Sequence, residues 1–124
     1  MGYRSEVVLV VGKEIIPQFM VTMAKSLAAR AMCFDEATRV KDYEGEEGAI
    51  LFRWDSIKWY DSFEEVEAIE DFMDWCECEE LELDDGIHSA MDFFRFVRIG
   101  EDTDDVVERG HGFWSVGVRR AISW

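Results

Sequence analysis

Residues 7–11, Val-Val-Leu-Val-Val, form the longest apolar run of the chain and decide its fold. β-Branched residues dominate this run, and they favour strands over helices. A strand that is apolar at every position needs cover on both faces. The run therefore predicts a central strand within residues 3–12, ended by Gly12. It is far shorter than the roughly 20 residues of a membrane-spanning helix.

A helix is predicted immediately after this strand, from Lys13 to about Met32. Apolar residues recur there at spacings of three and four, which is the pattern of a helix with one buried stripe. The stripe consists of Ile16, Phe19, Met20, Met23, Leu27 and Ala31. Pro17 is compatible only with the first helical turn, so the regular helix should start just before it.

Two predicted strands follow the helix and form a hairpin. The first covers residues 37–43 and the second lies within residues 48–60, with the two-glycine segment 44–48 as the turn. The apolar alternation of the second strand changes phase between two groups, Ile50, Phe52 and Trp54, then Ile57 and Trp59. A bulge or bend at Asp55-Ser56 would reconcile the two groups.

A second helix is predicted to begin at Ser62 and to end near Glu79. Ser62 would be the N-cap and Glu65 would lie at the third helical position, as in a capping box. The predicted buried stripe consists of Val66, Ile69, Phe72, Met73 and Cys76. Because these residues repeat at helical spacing, the opposite face of this helix should be exposed.

The remainder predicts an acidic loop over residues 80–92, a strand over 93–99, a polar loop over 100–112 and a final strand over 113–124. One parity of the final strand is apolar, at Trp114, Val116, Val118, Ile122 and Trp124. The order β-α-β-β-α-β-β predicts a single α+β domain over residues 1–124. We expect an antiparallel sheet with two helices on one face, a ferredoxin-like variant of the split β-α-β arrangement.

The charge of the chain is strongly negative and unevenly distributed. Its 124 residues include 28 acidic and 13 basic residues, a formal net charge of −15. Such a charge repels nucleic acids and anionic membranes and favours basic partners. The segment from Trp59 to Phe94 contains 14 of the 28 acids and no Lys or Arg. Solubility alone does not require the acidic residues to be clustered in one segment.

A helical projection places these acids on one face of the second helix. At about 100° per residue from Val66, the apolar stripe covers roughly 240–340° and the acids roughly 20–160°. Trp75 falls near 180°, outside the stripe and beside the acids, by the same rough projection. The predicted partner-binding face consists of Glu64, Glu67, Glu70, Asp71, Asp74, Trp75 and Glu77.

Like charges on this face destabilise the helix, and no basic residue of the segment relieves them. Each pair three or four residues apart, such as Glu67 with Glu70, costs a few tenths of a kcal/mol. An acidic face that costs stability and presents an aromatic residue favours a binding surface, one that would dock on a basic protein. The alternative is a solvated face on which the following loop covers Trp75.

Nucleic-acid mimicry is one specific form of such docking. The helix has eight acids between Glu64 and Glu79. At 1.5 Å per residue this is one charge per roughly 3 Å, close to the 3.4 Å spacing along one DNA strand.

The arginines Arg95, Arg98, Arg109, Arg119 and Arg120 lie outside the acidic segment. If their strands are adjacent, they would form a basic patch. The preferred interpretation is that they pair with neighbouring acids of the loop at residues 101–108.

The sequence signals for catalysis or metal binding are weaker than the signal of the acidic helix face. Cys76-x-Cys78 lacks the four ligands of a structural zinc site, even with His88 as a third ligand. The carboxylates from Glu101 to Asp105 could hold calcium or magnesium, and His111 could be a general base beside them. A small metal-dependent enzyme using that loop and His111 is therefore the alternative function. No cofactor or metal is predicted.

The odd number of cysteines favours a reducing cytoplasm over a disulfide framework.

Three phrases of the sequence resemble small acidic proteins of bacteriophages and prophages that have no assigned activity. They are Met-Gly-Tyr-Arg-Ser-Glu-Val-Val (1–8), Ile-Lys-Trp-Tyr (57–60) and Phe-Val-Arg-Ile-Gly-Glu-Asp (96–102). The resemblance implies a phage accessory protein in the host bacterial cytoplasm. We expect a non-enzymatic protein that binds a basic host protein, for example an anti-CRISPR or anti-restriction inhibitor. A structural phage component is a further alternative, which would form a symmetric oligomer.

Overall fold

The computed structural model describes residues 3–102, 104–113, 115–118 and 122–123. Its strands among these residues are β1 (Ser5–Val11), β2 (Thr38–Lys41), β3 (Ile50–Ile57), β4 (Glu80–Leu83), β5 (Gly86–Ser89), β6 (Phe94–Ile99), β7 (Val106–Arg109), β8 (Gly117–Val118) and β9 (Ile122–Ser123). Its α-helices are α1 (Ile16–Lys25), α2 (Leu27–Ala31) and α3 (Glu64–Cys78). The fold is α+β, as predicted, although the structure has three α-helices where the sequence predicted two.

Strand β1 lies at the centre of a five-stranded sheet. The strand order is β2-β3-β1-β6-β7, and every neighbouring pair is antiparallel. Val7, Leu9 and Val11 contact the helices, whereas Val8 and Val10 belong to a second cluster on the opposite face. All five residues of this apolar run are fully buried. The prediction of a central strand covered on both faces is confirmed.

The helical layer differs from the single long helix predicted over residues 13–32. Ser26 adopts an extended conformation, with φ −133° and ψ 103°, and thereby separates α1 from α2. Its Oγ accepts a hydrogen bond from the amide of Ala29 at 3.2 Å. Leu27, predicted to be buried, is consequently 74% exposed. The helical turns also continue past Met32 as a π-helical turn, Met32–Glu36.

The hairpin of β2 and β3 agrees with the prediction. Gly45 and Gly48 have φ angles of 76° and 83°, which glycine adopts without strain. Opposite β3, Ser5 pairs with Ile57 but Val7 pairs with Trp54. Two residue steps on β1 therefore face three on β3, which is the bulge predicted at Asp55-Ser56.

Two segments predicted as loops contain strands. Residues 80–92 include the hairpin of β4 and β5, and residues 100–112 include β7. The alternation Glu-Leu-Glu-Leu in β4 is a strand pattern that the high acid content obscured. The start of α3 also differs, because Phe63 is its N-cap and no side chain caps the helix there. The predicted capping box at Ser62 is therefore wrong.

The predicted final strand over residues 113–124 is not continuous among its described residues. Val118 of β8 pairs antiparallel with Ile122 of β9, so these two segments are not parts of one continuous strand. Val116 is buried on the second face of the sheet with Val8 and Leu51. Trp114 and Trp124, which were predicted on the same buried face, lie outside the described residues.

Candidate binding surface on helix α3

The buried side of α3 is the one that the projection predicted. Its buried residues are Val66, Ile69, Phe72, Met73 and Cys76, all part of the helix-side core. Packing of this stripe against the sheet turns the acidic arc outward. The acids are not equivalent in the structure, because different elements flank the two halves of the arc.

Arg109, the last residue of β7, occupies one half of the acidic arc. Its Nη1 lies 2.6 Å from Glu70 Oε2, and its Nη2 lies 2.8 Å from Asp74 Oδ1 and 2.8 Å from Glu77 Oε1. Arg109 Nε also donates a hydrogen bond to Glu77 Oε2 at 2.9 Å. These hydrogen bonds, first those to Glu77, raise the pKa of Arg109 above its ordinary value. The guanidinium thus joins three carboxylates of one helix to the edge of the sheet.

This contact corrects two expectations. The like charges of Glu70, Asp74 and Glu77 are relieved after all, by a cation distant in sequence. Arg109 also pairs with the helix rather than with the loop at residues 101–108, which was the predicted partner of the arginines. Arg98 and Arg95 do pair with that loop and its following strand, contacting Asp105 at 3.0 Å and Glu108 at 3.2 Å. Arg119 and Arg120 lie outside the described residues.

The position of Arg109 depends on a tight turn directly after β7. Gly110 has a φ of 90°, and a Cβ atom there would lie 2.2 Å from the carbonyl oxygen of Phe94. Only glycine permits this approach without a clash. A second contact holds Glu70 in place, since Trp59 Nε1 donates a hydrogen bond to Glu70 Oε1 at 3.3 Å. Glu70 is therefore fixed from both the sheet and the core.

The other half of the acidic arc has few partners. Glu64, Glu67 and Asp71 are exposed. Within the described part of the chain, no hydrogen bond or ion pair engages the side chain of Glu67 or Asp71. Glu64 Oε1 accepts only a long hydrogen bond of 3.5 Å from Ser26 Oγ. We call Glu64, Glu67 and Asp71 the free acids, and Glu70, Asp74 and Glu77 the clamped acids.

The free acids form one wall of a groove between α1 and α3. The groove has a volume of about 410 Å³. Its walls include Thr22 and Lys25 of α1 and Glu64, Glu67, Asp71 and Trp75 of α3. Trp75 is half-buried, packing against the core and also lining the groove. The structure therefore brings Trp75 together with the free acids, as the projection predicted.

A second cleft, of about 760 Å³, lies on the other side of Glu67. Its walls include Tyr3, Trp59, Glu70, Arg98 and Asp105. Asp105 is engaged there by two nitrogens of Arg98, each at 3.0 Å, and by the hydroxyl of Tyr3 at 2.7 Å. Hydrogen bonds from Arg98 and then Tyr3 lower the pKa of Asp105. The cation of this cleft, Arg98, is therefore ion-paired, whereas Lys25 of the groove forms no ion pair with a described residue.

The residues proposed for a metal-dependent enzyme are not brought together. His111 Nδ1 lies 3.7 Å from Asp92, and Asp105 is held by Arg98 and Tyr3. No cluster of three or more His, Cys, Asp or Glu side chains suited to a metal ion occurs among the residues that the structure covers. Cys76 is buried, which raises the pKa of its thiol to about 12, whereas Cys78 is exposed.

Chemically, the surface offers unpaired carboxylates beside a half-buried indole, an arrangement suited to cationic groups. No helix of the described chain is both long and apolar enough to cross a membrane. We compared the chain with protein-family models, with curated proteins and with solved structures, and none of these three comparisons gave a match.

Proposed function

We propose that this protein is a non-enzymatic binding protein that docks on a basic surface of another protein. Docking uses the free acids and Trp75, whereas the clamped acids hold the sheet edge against α3. The observation that carries this proposal is the division of one acidic face by Arg109. Three acids are neutralised in part within the fold, and three neighbouring acids on the same helix form no ion pair with a described residue.

The free acids repel one another, and no ion pair with a described residue compensates this repulsion. Glu64 and Asp71 are seven residues apart, or about 10 Å along the helix axis. Glu67 and Asp71 are helical neighbours whose like charges destabilise α3 by a few tenths of a kcal/mol. A basic partner removes this repulsion when it binds, and its approach is accelerated by the negative potential of the chain. Trp75 supplies the apolar contact area typical of binding hot spots.

The division of the face supports direct protein docking over nucleic-acid mimicry. Mimicry needs a regular row of charges along the helix, and Arg109 offsets part of that row at its C-terminal half. The bacteriophage resemblance makes a host defence protein, such as a restriction or CRISPR effector, the first partner class to test. On this proposal the protein acts in the host bacterial cytoplasm as an inhibitor of such a partner.

We also propose that the sheet is a variant of the ferredoxin-like arrangement. The order β2-β3-β1-β6 and its antiparallel pairing support this assignment, with β7 added at the edge beside β6. The two crossings over the helical face, through α1-α2 and through α3, agree with the split β-α-β pattern. The added strand β7 is the one that delivers Arg109 to the acidic face.

The test is capture of partners from a bacterial lysate on three immobilised forms of the protein. They are the wild type, the free-acid variant E64Q/D71N and the matched clamped-acid variant D74N/E77Q. We expect wild type and D74N/E77Q to retain a basic protein at about 50 mM salt, and E64Q/D71N to lose it. Retention should also disappear at about 500 mM salt. Capture that is indifferent to salt and equal for all three forms would contradict the proposal.

A further inference from the structure

We propose that the groove between α1 and α3 receives one lysine or arginine side chain from a basic segment of the protein partner. The cationic group lies between Glu67 and Asp71, and the adjoining stem contacts Trp75. This inference rests on the proposed function and specifies its contact site.

The spacing of the groove residues supports one cation at this position. Glu67 and Asp71 are four residues apart, so their Cβ atoms are about 5–6 Å from each other on the same side of the helix. Trp75 follows one turn later, about 6 Å along the axis at 1.5 Å per residue. Because Trp75 lines the same groove as both carboxylates, its indole is placed to contact the methylene stem of a side chain whose cationic group lies between them.

The shape of the groove favours a side chain over a bare ion. Its volume of about 410 Å³ is much larger than a single cation requires. One wall carries carboxylates and an aromatic ring, which match the charged head and methylene stem of lysine or arginine. Nucleic acid is a poor occupant because its phosphates would face Glu64, Glu67 and Asp71. Charge complementarity therefore identifies a basic protein segment as the occupant.

Lys25 provides a control in which binding should become stronger instead of weaker. It lines the opposite wall of the groove, yet it forms no ion pair with a described residue. Its ammonium group repels an incoming cation, so replacing it with an uncharged side chain should strengthen binding. A residue with only a structural role would not produce this gain in affinity.

The experiment titrates the protein with octaarginine, octalysine and uncharged octacitrulline at about 20 mM salt. The readout is the indole Nε1–H resonance of Trp75, identified by its loss in Trp75→Phe. We expect both basic peptides, but not octacitrulline, to shift this resonance. Asp71→Asn should weaken binding about threefold to tenfold, and Lys25→Met should tighten it about twofold or more. The matched variant Asp74→Asn should bind within about twofold of wild type.

Two outcomes would overturn the inference in different ways. If the basic peptides bind while the Trp75 resonance stays unmoved and Asp71→Asn behaves like Asp74→Asn, the groove is not the contact site. The proposed function then survives with its contact elsewhere on the protein. If neither basic peptide binds at low salt, the groove site and the proposed docking function both fail. Thermal unfolding of each variant checks that the fold is intact.

Discussion

The guanidinium of Arg109 lies 2.6 Å from the carboxylate of Glu70, although 39 residues separate the two in sequence. The same guanidinium contacts Asp74 and Glu77, so it fixes the edge strand β7 against α3. One side chain therefore has two consequences. It stabilises the fold, and it determines which acids remain for a partner.

Replacing Arg109 with Gln should affect stability and binding in opposite directions. The three clamped acids lose their cation, and the free energy of unfolding should fall by about 1–2 kcal/mol. The loss is modest because the carboxylates are partly exposed to solvent. Affinity for octaarginine should rise, because three more carboxylates become available. Urea unfolding and peptide titration measure the two effects. Arg109→Lys keeps the charge without the planar fork and should give an intermediate stability. Unchanged stability in Arg109→Gln would show that the ion pairs of Arg109 do not contribute to the free energy of unfolding.

Asp71 and Asp74 form a matched pair for stability as well as for binding. Asp71→Asn removes a repulsive charge and should leave thermal stability unchanged or raise it by a few tenths of a kcal/mol. Asp74→Asn removes one ion pair of Arg109 and should lower stability by up to about 1 kcal/mol. Thermal unfolding of both variants at low salt makes the comparison. The reverse order of stability would contradict the division into free and clamped acids.

Asp105 should make stability depend on pH in the acidic range. Its pKa in the folded protein lies below the ordinary value of 3.8, because Arg98 and Tyr3 donate hydrogen bonds to the ionised form. The stabilisation is therefore complete well above pH 3.8 and is lost as the pH falls through the lower folded-state pKa. Asp105→Asn should be less stable than wild type at pH 7, and the difference should shrink as the pH falls below 3.8. Asp104, whose side chain has no hydrogen bond or ion pair with a described residue, provides the control, and Asp104→Asn should have nearly the stability of wild type at pH 7.

Ser26 and Ser62 should respond differently to replacement by alanine. Ser26 caps α2 through the amide of Ala29, so Ser26→Ala should cost about 0.5–2 kcal/mol. Ser62 makes no cap at α3, where Phe63 occupies the N-cap position. Ser62→Ala should therefore leave the free energy of unfolding nearly unchanged. Equal losses in urea unfolding would indicate that the capping assignments are wrong.

Gly110 should be far less tolerant of alanine than Gly45, although both have positive φ angles of 90° and 76°. At Gly110 the new Cβ would clash with the carbonyl of Phe94, whereas nothing lies within 4 Å at Gly45. We expect a loss of about 2–4 kcal/mol for Gly110→Ala and about 1 kcal/mol for Gly45→Ala. Circular dichroism during thermal unfolding compares the two variants.

The sequence predicted features whose signal is local. The apolar run at residues 7–11 indicated a doubly covered strand, and the phase change in β3 indicated its bulge. Both follow from side-chain alternation alone. The buried stripe of α3 and the adjacency of Trp75 to its acids follow from helical periodicity. These are properties of a single element, so no knowledge of its neighbours was needed.

Features that depend on contacts between distant segments were missed. The acids of residues 101–108 obscured β7, whose four residues are too few for a clear strand pattern. Without β7, nothing placed Arg109 beside Glu70, Asp74 and Glu77. The break at Ser26 was missed because the apolar spacing continues through it and a single serine does not usually end a helix. The available signal was the β-branched pair Val106-Val107, followed by Arg109 as the one basic residue of the acidic segment at residues 101–109.

The central place of β1 has a consequence for synthesis of the chain. Its backbone partners lie in β3 and β6, at residues 50–57 and 94–99. The ribosome makes Val7 to Val11 first, but the strand that closes their second edge is complete only when Ile99 has emerged. During this interval the most apolar segment has an unpaired edge, which is a state that chaperones recognise and that aggregates. The segment that is most deeply buried in the folded protein is therefore the one that has an unpaired edge for longest during synthesis.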